Sequence, residues 1–188
     1  MMTMPDPCRP YRQLARNNAL ANRRLQSACA RLLPGEWEAE RVSFFPSIKA
    51  TLNHILTVDR FYLGAVQGGT PGPDARADPQ PCADLASLIE AQAEQDAIAL
   101  ALCEAMQPGD ADRVVRIHRA DRVQEETLAD TLMHLFLHDQ HHRGQVHAML
   151  SGSAVPPPQL DEFFLADDAR FRGGDLAAIG RDEDWLRR

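Results

Sequence analysis

The chain has 188 residues, 44% of them hydrophobic, and carries a formal net charge of −7 with a sequence pI near 5.4. That length and apolar content suit one domain over residues 1–188 with a buried core. The acidic balance gives no general positive field for phosphate backbones or anionic lipid, so neither nucleic acid nor a membrane is an expected partner; the apolar runs are a few residues long, against roughly 20 for a bilayer span.

The first residues, MMTMPDPCRPYRQLARNN, pass from a Pro-broken polar segment into charged helix without an apolar leader-like stretch, which predicts a cytoplasmic location. From about Arg9 to Leu33, three- and four-residue steps put Leu14, Ala19, Leu20, Leu25, Ala28 and Leu32 on one side and predict a first helix that Pro34-Gly35 stops. A connection through Phe44, Phe45 and Pro46 leads into a second helix from about Ser47 to Val66, ended by Gly68-Gly69. Residues 68–82 are rich in Gly, Pro and Asp and predict an exposed loop.

A third helix is predicted from about Ala83 to Met106 on the propensity of its Ala, Leu, Ile, Glu and Gln, and Pro108-Gly109 ends it. Alternating Val and Ile in Arg113–Val123 allow a short hairpin turning at Ala120-Asp121. Thr127 opens a fourth helix that reaches about Leu150. The tail from Ala154, with apolar residues Leu160, Phe163, Phe164, Leu165 and Trp185, predicts an irregular or short-helical extension. Four long helices with one long loop predict an all-α chain built as an antiparallel four-helix bundle, in which sites form from side chains on facing helices. Cys8, Cys29, Cys82 and Cys103 form no C-x-x-C pair and no dense framework, which predicts reduced thiols in core roles.

Five of the seven histidines fall in HLFLHDQHHRGQVH, residues 134–147. With His138 at zero and about 100° per residue, Leu128, Leu132, Leu135, Val146, Met149 and Leu150 span roughly 20° to 120° and define the buried face. His142 lies at about 40° and His138 at the edge, whereas His134 and His141 fall at about −40° and −60° and His147 nearly opposite. On the second helix, His54 shares a face with Val58, Phe61 and Ala65, within about 40°. Three inward imidazoles from two facing helices supply neutral nitrogen ligands for one divalent ion, zinc or nickel, with a coordination position left for water or substrate.

An i, i+4 His pair also occurs by chance on polar helix faces, so the third inward histidine carries the metal reading. His134 and His141 are expected to be solvated or to support a ligand, and His118 and His147 to lie at the surface. Asp59 and Asp139 could orient a ligand imidazole through its second nitrogen, but their residue type favours surface carboxylates. Gln145, at about −20°, could line the pocket; Arg143, at about 140°, is expected in a structural ion pair. No Gly-rich phosphate loop appears, and no Ser or Cys nucleophile adjoins the histidines.

The segments NHILTVDRFYL (53–63), HDQHHRGQVHAML (138–150) and PQLDEFFL (158–165) resemble the DinB family, within the larger DinB/YfiT-like superfamily of metal-dependent enzymes. The resemblance implies a four-helix bundle and a three-His metal site carried by His54, His138 and His142, and makes a homodimer an expectation. Some superfamily members resemble transferases that use a low-molecular-weight thiol such as bacillithiol or mycothiol, activated at the metal. Two readings follow: a metal-dependent transferase or hydrolase acting on a small molecule, or a non-catalytic stress-response protein whose ion stabilises the bundle.

Overall fold

Side-chain caps and prolines, rather than propensity alone, set where the helices begin. The computed structural model describes residues 6–69 and 78–188. Helix α1 (Arg9–Cys29) carries Pro10 in its first turn, where a missing N–H costs nothing. Helix α2 (Ile48–Val66) starts at Ser47, which accepts from the Ala50 N–H at 3.1 Å, and α3 (Leu85–Ala105) starts at Asp84, which accepts from the Ser87 N–H at 2.8 Å. Of the expected exposed loop 68–82, residues 70–77 lie outside the described residues.

Helix α1 ends one turn before the expected Leu33. The N–H groups of Arg31 and Leu32 bond three residues back, to Ala28 and Cys29, so the last turn tightens. Pro34 disfavours helical backbone at Leu33, and Gly35 supplies the left-handed turn at φ +85° that redirects the chain.

The expected hairpin is present, which corrects the all-α class: the protein is mostly helical with a small two-stranded sheet. After a 3-10 turn at Asp110–Asp112, strands β1 (Val114–His118) and β2 (Val123–Thr127) pair antiparallel in the register Val114 to Thr127 and His118 to Val123. The turn falls at Ala120-Asp121, closed by the Arg119 N–H on the Arg122 carbonyl at 2.8 Å. The hairpin survives because β1 turns Val115 and Ile117, each 1% exposed, into the core cluster that includes Phe61, Val66 and Leu132. Thr127 then caps α4 (Leu128–Leu150) through the Asp130 N–H at 3.0 Å.

Helices α1 and α2 each pack on both α3 and α4, forming a helical bundle with two apolar clusters along its length. A third cluster joins the tail to α1: Phe163, Leu176 and Leu186 pack on Leu20 and Ala21. The tail holds two short helices, α5 (Ala169–Ala178) and α6 (Glu183–Arg187). Arg172 clasps them: fully enclosed, it donates two bonds to Glu183 at 2.7 and 2.9 Å and bonds the carbonyls of Glu162 and Leu165. All four cysteines are free and buried, and burial pushes the thiols of Cys29 and Cys103 up to about 12. Among the described residues no helix is long and apolar enough to cross a membrane.

Candidate metal centre

Two helices bring the histidines together. His54 stands on the second turn of α2, and His138 and His142 stand one turn apart on the facing stretch of α4. One ligand atom from each lies within 4.8 Å of the others, and the Nε2 atoms of His54 and His138 are 3.0 Å apart. Ring centroids are 4.4 Å apart for His138 and His142, 4.7 Å for His54 and His142, and 5.0 Å for His54 and His138.

That spacing fits one ion. Two nitrogens at the usual ~2.0–2.1 Å from a shared tetrahedral ion lie about 3.4 Å from each other, between the shortest separation and the widest one here. A single 3.0 Å contact would equally serve as a hydrogen bond between two imidazoles. The third ring, inside the same small volume, goes beyond what that hydrogen bond requires.

The tautomers are arranged to suit ligation. Gln145 donates its amide N–H to His141 Nε2 at 3.1 Å, so its carbonyl oxygen is the atom that meets His142 Nδ1 at 2.9 Å and accepts from it. His142 is thereby fixed with its Nε2 lone pair free for the cluster. Burial, chiefly, also lowers the His142 pKa, which favours the neutral ring that a metal needs. Gln145 therefore orients the His142 ring and does not line the cleft beside His54. His138 Nδ1 faces Asp139 Oδ1 at 3.4 Å, a long contact of the same sense.

Both carboxylates read as surface groups are buried, a correction: Asp59 is 2% exposed and Asp139 is fully enclosed. The Asp59 carboxyl meets that of Asp139, and burial together with the Asp139 charge raises the Asp59 pKa well above the usual range. Asp59 Oδ1 and Asp139 Oδ2 find no N–H or O–H partner, and a proton on the Asp59 carboxyl would give this pair of acids a hydrogen bond. Gln92 donates to the other Asp59 oxygen at 2.6 Å.

Arg143 needs correction too. It is 4% exposed, and its guanidinium donates to the side-chain carbonyls of Asn18 and Asn22 on α1, with no direct ion pair among the described residues. Its charge still acts on Asp59, Asp96 and Asp139, as their charges act on it. Asp96 accepts from Asn22 at 2.9 Å, so the two helix 1 asparagines bridge the cation to the acids.

Asp96 keeps part of its surface open to a groove between α1 and α3, yet burial of its carboxyl pushes it up to about 7. Because the folded chain then holds this proton more tightly than the unfolded one, Asp96 contributes most stability below about pH 4, and that contribution is lost as the pH rises towards about 7. Asp96→Asn keeps the acceptor for Asn22 and removes the charge. In chelator-treated protein at pH 8 the variant should be ~1–3 kcal/mol more stable than wild type, with the gap closing near pH 4. Urea denaturation at the two pH values measures it, and an equal difference at both would refute this assignment.

The remaining histidines stay outside the cluster. His134 is exposed, meeting Tyr62 edge to face at 5.0 Å with its ring 6.4 Å from His138, and His141 is exposed beside His142. His118 and His147 are half-buried instead of fully at the surface. Phe45, read only as part of a connection, lies with its ring 4.3 Å from His54 and 5.5 Å from His142. It walls a cleft of about 230 Å³ shared with His54, Thr57, Val58 and Gln80. No helical period covers Phe45, so only its aromatic type, two residues before the Ser47 cap, could have signalled it.

A comparison with protein families finds that the model for the DinB family matches residues 4–175. A comparison with curated proteins found no match.

Proposed function

Because the chain belongs to the DinB family, we propose that it is a metal-dependent enzyme of the thiol transferase or hydrolase type, built on an antiparallel four-helix bundle of α1–α4 within one domain over residues 1–188. His54, His138 and His142 would hold one divalent ion, zinc or nickel. The observation that carries this reading is the convergence of their three ligand atoms within 4.8 Å, with His54 also on the wall of a cleft. When bound, the ion would supply a Lewis acid that stabilises a low-molecular-weight thiolate, or a hydroxide, near neutral pH.

The chain's own residues would do the rest. Gln145 and Asp139 hold the rings of His142 and His138 with their outer nitrogens engaged, so that both present Nε2 inward. Phe45 gives the cleft an apolar wall that excludes water from one side of the cluster. Thr57 and Gln80 are the polar groups on the cleft wall that would orient a small-molecule substrate. Exposed Val42, Phe44 and Leu137 favour a homodimer as the working form, and a cytoplasmic location suits a site that uses a low-molecular-weight thiol.

Cobalt substitution tests whether the ion keeps an open position. Adding cysteine or 2-mercaptoethanol to the Co²⁺-loaded protein should produce a thiolate-to-cobalt absorption band that saturates at one thiol per ion. A cobalt spectrum indifferent to thiol, azide and cyanide would mean a closed site, and would favour the second reading of a stress-response protein with a structural ion.

A further inference from the structure

We propose that the groove between α1, α3 and the two C-terminal helices binds a small organic anion with an apolar body, separately from the histidine cluster. The groove has a volume of about 360 Å³, the size of a pocket for a small ligand, and shares no lining residue with the cleft beside His54. Its walls are apolar: Ile89, Ala93, Ala97 and Leu100 come from α3, Ile179 and Trp185 from the tail.

The polar groups decide the ligand's charge. Two acids reach the groove, and both are engaged: Asp96 accepts from Asn22 and Gln92, and Glu104 accepts from Arg16 at 3.4 Å and from the Trp185 indole at 3.1 Å. Of the polar side chains that line the groove, Arg23, Arg181 and Gln26 have no ion pair or hydrogen bond among the described residues, and all three can donate. Arg23 and Arg181 are exposed at the groove with no carboxylate partner; the Arg181 guanidinium lies over the Trp185 ring at 5.4 Å, and that of Arg16 lies 5.1 Å from the same ring. A guanidinium stacked on a ring keeps its N–H edge available.

Gln26 is the second observation. It is only 6% exposed, lines the groove, and makes no side-chain hydrogen bond among the described residues. A nearly enclosed amide without a partner is costly unless water or a ligand meets it. Two unpaired guanidiniums and one waiting amide, on apolar walls, suit a carboxylate on a ring or short chain. A chain of net charge −7 repels anions elsewhere, so the local pair of cations also makes the groove selective.

Calorimetric titration of the full chain, chelator-treated, with 1-naphthoate and with octanoate tests this, using 1-naphthylmethanol as the neutral counterpart. At least one of the two carboxylates should bind saturably at one per chain, and in the naphthyl pair the alcohol should bind about tenfold more weakly than the acid. Arg23→Met and Arg181→Met should each weaken the anion by about tenfold; Arg23→Met should leave the melting temperature unmoved, and Arg181→Met should lower it by no more than a few degrees, because it loses only the guanidinium contact with the Trp185 ring. Ala97→Trp should fill the groove and abolish binding.

Absence of saturable binding by both carboxylates, or binding that ignores the arginine and Ala97 variants, overturns the proposal. Binding that needs restored metal and is lost in His54→Ala but not in Ala97→Trp would put the anion on the ion, and overturns it as well. The result is independent of whether the histidine cluster proves catalytic.

Discussion

Untagged wild-type protein should carry about one divalent ion per chain by elemental analysis, and His54→Ala, His138→Ala and His142→Ala should each lose it, with zinc affinity at least about a hundredfold weaker. The size follows from comparison: changing a residue that merely orients a ligand costs about 10–100-fold, and removing one of three ligands removes a bond to the ion itself. His142 should be the most severe, since it is 6% exposed and has its outer nitrogen committed to Gln145, so water is poorly placed to replace it. His138, with 15% of its side chain exposed, leaves more room for a substituting water. Helicity by circular dichroism separates lost ligation from lost fold. A wild-type chain that neither contains nor takes up metal, or variants that keep a full complement, would end the metal reading.

Arg143→Leu should destabilise the chelator-treated protein by ~3–5 kcal/mol, the usual cost of removing one member of a buried charge network. For a chain of this size that lowers the melting temperature by roughly 6–20 °C. Leucine leaves the Asn18 and Asn22 carbonyls without their donor, and it removes the only buried cation whose field offsets Asp59, Asp96 and Asp139 among the described residues. The double variant with Asp96→Asn should recover part of the loss, because one of the buried carboxylates that the missing cation offsets has gone; additive effects would show that the residues act separately. A loss below about 1 kcal/mol would mean that Arg143 is an ordinary helix residue.

Much of the site was legible because helical period reports direction well. The 100° wheel put His138 and His142 on the inward side of α4 and His54 inward on α2, and the structure brings those three together. Asp139 falls at about 100° on the same wheel, inside the buried arc, although a surface carboxylate was the expectation for it because carboxylates are normally solvated. Direction was the better guide there, since Asp139 is fully enclosed and meets the Asp59 carboxyl from the facing helix. Arg143, at about 140°, sat beyond the arc only because the arc was drawn from contacts with apolar residues; its partners are asparagines four residues apart on α1, whose polarity made that face look like solvent.

The tail was not legible in the same way. Its order rests on Arg172, whose four bonds reach carbonyls and a carboxylate 7 to 11 residues away, a separation with no periodic signature. The hairpin was visible as alternation in β1 and a turn at Ala120-Asp121, whereas β2 reads VQEET and alternates no apolar residue. Only pairing with β1 makes it a strand.

The enclosure of all four cysteines has a practical side. Buried thiols are poor targets for alkylating reagents and disulfides, so thiol consumed in a mixture with an electrophile would not be lost to exchange with the folded polypeptide. The same protection turns into a signal when the chain opens: a thiol reagent present in excess will label Cys8, Cys29, Cys82 and Cys103 only in molecules that have come apart, and the labelling rate at each position becomes a clock for the opening of the packing around it.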